Sequence, residues 1–132
     1  MRNRAVVLLL CCTLLAGCAL QRNRAPQITP ATALDLNLAY QVSQANKDYE
    51  TFFRDVGDAQ RQGLFTAEQV ATLNSVGRPA QAALGNANST FRTYQATHDQ
   101  PARLQVVAYI QQVNGIIGQL LLRRATMLNG GS

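Results

Sequence analysis

From Leu34 to Leu120 apolar residues return at steps of three and four, interrupted where glycine, proline and short polar runs mark turns. An α-helix turns once in about 3.6 residues, so a chain with this rhythm must form helices that each hide one stripe. Three segments carry it. In the first, Leu34, Leu38, Val42, Ala45, Tyr49, Phe52, Val56 and Ala59 share one face, Thr29 and Pro30 supply a cap and first position, and Gly63 is the stop. Gly57 is an earlier point where this helix can end or bend, and Glu50, Arg54 and Asp58, four apart, predict a charged outer ladder.

The second segment opens with Thr66, with Gln69 three residues on and Phe65 set to staple onto Val70: a capping box that fixes the helix start. Val70, Leu73, Gly77, Ala80, Leu84, Ala87, Phe91 and Tyr94 then alternate in the a/d rhythm of coiled-coil packing. Pro79 lies inside this run, and because the rhythm passes through it, one helix bent near Gly77 is expected rather than two. Pro101 starts the third segment, whose seam is Val106, Ile110, Val113, Ile117 and Leu120, flanked by Tyr109, Ile116 and Leu121 and closed by Asn129, Gly130 and Gly131. Three helices of similar length on short turns bury their faces together as an all-α, antiparallel up-down-up bundle, over about 30–62, 66–97 and 101–128.

Composition agrees. Aromatics are 6% of residues and charges 14%, a lean mixture closer to a helical bundle than to a β-sandwich.

The first eighteen residues differ from the rest. Met1 to Arg4 is a short positive end, and Ala5 to Leu15 is an apolar run too short to span a bilayer before Gln21, Arg22, Asn23 and Arg24 follow. The run ends Leu15, Ala16, Gly17, Cys18: a branched apolar residue, two small ones, then cysteine. This resembles the lipobox of bacterial lipoproteins, and all four positions match. The resemblance implies a signal peptide over 1–17, cleavage before Cys18 with Leu15, Ala16 and Gly17 recognised by the signal peptidase, and fatty acyl chains such as palmitate on Cys18. Two or three such chains hold a protein stably on a membrane, because each buried methylene contributes about 0.8 kcal/mol. Ala19 is not the aspartate that favours inner-membrane retention in Gram-negative lipoproteins, so the resemblance points to the cell envelope and, in a Gram-negative cell, to the periplasmic face of the outer membrane. Residues 18–29, which follow neither period, form the expected tether, and 30–132 the bundle domain. Cys11 and Cys12 leave with the signal peptide, so no disulfide is expected.

Function classes narrow by chemistry. Removing Arg2 and Arg4 lowers the net charge from +5 to +3, and the other basic residues are scattered among seven acids, so nucleic acid is not an expected partner. His98 is the single histidine and falls in a turn, where one imidazole assembles neither a metal site nor a triad. Asp55 and Asp58 read as solvated helix charge, and Ser43, Ser75 and Ser89 lack a nucleophile elbow. Leu104 to Leu122 holds no charge, but Gln105, Gln112 and Gln119 recur every seventh position as a wet face, against a membrane span. Gly115 and Gly118 mark either a close helix approach or an unoptimised exposed face. The expectation is a non-catalytic envelope lipoprotein, without cofactor or metal, acting as a structural or protein-interaction module toward an envelope protein. Two other readings stay open: a pilotin-like or phage-derived accessory lipoprotein of exclusion or lysis, and a small-ligand carrier or enzyme.

Overall fold

Local signals set the helix ends. The computed structural model describes residues 30–130 and has three α-helices: α1 (Pro30–Arg61), α2 (Ala67–Thr97) and α3 (Gln100–Leu128). Each observed boundary lies within one residue of the expected one. Gly63, at φ +74°, closes α1, its N–H bonding Gln60 O at 3.0 Å while Leu64 N–H reaches back to Ala59 O at 2.9 Å. That pair of bonds is a Schellman stop, which needs a residue tolerant of positive φ. Gly57 lies inside α1 and does not end it.

The capping box at the start of α2 is fully made: Gln69 N–H donates to Thr66 Oγ1 at 3.2 Å, and Thr66 N–H donates to Gln69 Oε1 at 2.9 Å. Phe65 is buried and Val70 packs against the same cluster, as a hydrophobic staple requires. The α2 helix runs through Pro79 unbroken. His98 ends it in the left-handed conformation at φ 52°, its N–H on Tyr94 O at 2.7 Å, and Asp99 precedes α3 with Pro101 in the first turn.

The contacts of the chain divide after Thr32, and residues Ala33–Ser132 form one unit. In it the helices run up, down, up around a core in two parts. Near the start of α1, Leu38, Val42 and Ala45 meet Ala83, Leu84 and Tyr94 of α2 and Ala102, Val106, Ile110 and Val113 of α3. Toward the other end, Phe52, Val56 and Ala59 meet Phe65, Leu73 and Leu120. The stripe of α2 is built largely from small residues, with Gly77, Ala80, Ala83 and Ala87 buried. Large side chains of α1 fill the space this leaves. A Cβ built on Gly77 would stand 2.3 Å from the Phe53 ring, so the glycine is where that ring lies against α2. Phe53 in turn packs edge-on to Phe52, centroids 5.1 Å apart, and against Tyr49 at 4.8 Å.

Three expectations are corrected. Leu34 and Leu121, read as seam and flank, are about half exposed: Leu34 lies a turn beyond the first core layer, and Leu121 lines an open groove between α1 and α3. The Glu50–Arg54–Asp58 ladder does not form as expected, because Asp58 pairs with Arg61; separately, Asp55 pairs with Arg124 of α3 at 3.7 Å. Exposed i,i+4 pairs are worth only tenths of a kcal/mol, and a competing partner displaces them easily. Gln105, Gln112 and Gln119 are exposed as expected, and no described helix is long and apolar enough to cross a membrane.

Candidate functional site

Leu15, Ala16, Gly17 and Cys18, the residues the sequence singled out, lie outside the described residues, as do the tether 18–29, the Thr29 cap and Gly131. Chemistry within the described bundle gathers instead at the end where α1 begins and α2 passes into α3. There the Tyr94 hydroxyl donates a hydrogen bond to Asp35 Oδ1, across 59 residues of chain. Asp35 Oδ2 also faces His98 Nδ1 at 3.8 Å, an ion pair when the imidazole is protonated. The His98 ring stands edge-on to Tyr94, centroids 5.9 Å apart. Helix lengths account for the meeting: in an antiparallel pair the first turns of α1 fall opposite the last turns of α2.

The hydrogen bond to the Asp35 carboxylate holds the Tyr94 phenol above its ordinary pKa, with burial and the negative charge of Asp35 adding to the effect and Arg103 opposing it. Burial alone raises Tyr49 in the same direction. Arg103, in the first turns of α3, has a buried Nε without a hydrogen-bond partner. His98 is mostly exposed, so its ion pair with Asp35 adds little. The arrangement works as a polar latch that ties α1 to the α2–α3 turn.

A second polar contact lies between the helices halfway along. Asn46 Nδ2 donates to Asn88 Oδ1 at 3.3 Å and Asn88 Nδ2 returns a bond to Asn46 Oδ1 at 3.2 Å, while Asn46 also donates to Val42 O at 2.8 Å. Paired amides fix the register of two helices more sharply than apolar contacts do. Neither the Asp35–Tyr94–His98 group nor this pair was legible in the sequence, because residues 42 to 63 positions apart meet through helix rotation that a linear pattern does not specify. The available signal was that Tyr94 ends a core seam, where its hydroxyl needs a partner.

Two surface grooves also lie among the described residues. One of about 260 Å³ runs between α1 and α3, lined by Phe52, Ile117 and Leu121 with Asp48, Thr51, Asp55 and Arg124. Another of about 290 Å³ is polar and lies between α2 and α3, lined by Ser89, Thr90, Thr93, Asp99, Pro101, Ala102 and Gln105. Both are open to solvent. Ser75 and Ser89 hydroxyls are spent on carbonyls of their own helix, at 2.8 and 3.0 Å. Among the described residues no group of three or more His, Cys, Asp or Glu side chains is placed to hold a metal ion. Comparison with protein families, with curated proteins and with solved structures finds no match.

Proposed function

We propose that the mature protein is an envelope lipoprotein, anchored through acyl chains on Cys18, whose three-helix bundle serves as a non-catalytic structural or protein-interaction module. The observation that carries this reading is the run Leu15-Ala16-Gly17-Cys18 at the end of a short apolar stretch with a positive start. The described bundle supports the interaction reading in kind: its core is filled by Leu, Val, Ile, Phe, Ala and Tyr94, and the grooves between its helices are open to solvent. Such a body offers helix faces to other macromolecules. With Ala19 after the cysteine, the periplasmic face of the outer membrane is the proposed site in a Gram-negative cell.

Metabolic labelling with a palmitate analogue tests the anchor. The intact chain takes up label and fractionates with membranes, and the Cys18→Ala chain does neither. A mature amino terminus at any residue other than Cys18, or a Cys18 without added acyl mass, overturns the reading.

A further inference from the structure

The face of α1 opposite its buried stripe changes character along the helix. Over the first four turns it presents Ala33, Leu36, Tyr40 and Ser43, which follow one another at steps of three, four and three and are all exposed. Leu36 is 58% exposed and Tyr40 67%, the most open large apolar residues of α1. Between Pro30 and Lys47 the only charged residue is Asp35, and its carboxylate is engaged by the Tyr94 hydroxyl and faces His98. Lys47 continues the same face four residues past Ser43, and beyond it Glu50, Arg54 and Arg61 are exposed. One helix face is therefore apolar where the chain enters the bundle, basic at the edge of that patch, and mixed in charge farther on.

This is the order of polarity met on leaving a bilayer. Leucine favours the acyl boundary, tyrosine sits at the headgroup level with its ring in the apolar layer and its hydroxyl wet, and a lysine stem lies along apolar surface while its ammonium reaches an anionic phosphate. Nothing in a protein partner requires that the apolar part be the part nearest the tether. Chain length also says which surface is close. Eleven residues, 19–29, separate Cys18 from Pro30. They span at most about 40 Å, and about 18 Å by coil statistics. Along α1, Leu36 stands about 9 Å and Tyr40 about 15 Å from Pro30. With Cys18 held in a membrane, these turns are the part of α1 kept nearest to it. Two side chains are too few to hold a free protein on a bilayer, but a tethered chain is already confined beside it, so a small apolar contact suffices to orient it.

We infer that the first turns of α1 lie on the bilayer that holds the anchor, with Leu36 and Tyr40 in the headgroup layer and Lys47 at an anionic phosphate; the inference rests on the proposed lipidation of Cys18.

The chain contains no tryptophan, so a single introduced indole reports its own surroundings. The mature chain from Cys18, carrying Tyr40→Trp, is joined through the Cys18 thiol to a maleimide lipid in vesicles of phosphatidylcholine and phosphatidylglycerol. On vesicles whose acyl chains are brominated near the headgroup, emission from Tyr40→Trp is expected to fall at least twofold relative to unbrominated vesicles. Leu122→Trp, exposed toward the far end of α3, is expected to change by less than a tenth. Adding Leu36→Glu to Tyr40→Trp abolishes the quenching while helicity by circular dichroism is unchanged. Equal emission from Tyr40→Trp on the two lipids, or equal quenching at positions 40 and 122, overturns the inference. So does an indole at position 40 that is shielded from aqueous iodide in native envelopes but not on vesicles of lipid alone, which would assign the face to a protein. Because the maleimide lipid supplies the attachment, the quenching judges the contact whether or not a cell acylates Cys18, and labelling with the palmitate analogue judges the anchor.

Discussion

Three glycines in helices divide by what surrounds them. At Gly77 a methyl group would enter the Phe53 ring, and the ring is held by Tyr49 and Phe52, so it has little room to yield. Gly77→Ala is expected to lose about 1–3 kcal/mol through overpacking, despite the better helix propensity of alanine. Gly115→Ala and Gly118→Ala meet open space and are expected to gain about 0.5–1 kcal/mol each. Urea midpoints of the three variants check the sign directly. The sequence placed Gly77 on a buried stripe from its spacing alone, but it did not show that Phe53 is the neighbour. Phe53 lies beside the seam rather than on it, and it reaches α2 through the turn of α1.

At the level of the element, α1 and α2 are held in register by one polar pair within an apolar contact. Removing one partner leaves the other amide half-satisfied in a partly buried place, so Asn46→Leu is expected to cost about 1–3 kcal/mol. Replacing both, Asn46→Leu with Asn88→Leu, is expected to recover most of that loss, and a double-mutant cycle in urea measures the coupling. Helix ends were legible in advance because caps and stops are local: Thr66 and Gln69, Gly63, and Pro101 act within a few residues of themselves. The charged ladder expected on α1 was not, because Asp58 found Arg61, one turn on, in place of Arg54.

Across the whole molecule, the Tyr94–Asp35 bond joins the first turns of α1 to the last turns of α2 and makes alkaline stability depend on phenols. Both Tyr94 and Tyr49 hold their protons more tightly when folded than at the ordinary tyrosine value of 10.0. The folded state therefore keeps protons that the unfolded chain releases. Stability from this source is complete below about pH 10 and declines as pH rises through the folded values. Urea midpoints between about pH 9 and about pH 11 should fall with rising pH, and Tyr94→Phe should flatten that slope without abolishing it, since Tyr49 remains. An unchanged slope in Tyr94→Phe would remove the phenol from this account.

Period, caps and breakers in the linear order were sufficient for three helices, their ends, their buried stripes and their up-down-up order, because each of those depends on neighbours a few residues away or on loops too short to allow another path. The bundle's polar contacts, the seating of Phe53 on Gly77 and the openness around Gly115 and Gly118 depended on how far each helix rotates about its own axis. That rotation is set by the sum of side-chain volumes on all three faces at once, a quantity with no local signature, and it became definite only when the helices were packed together.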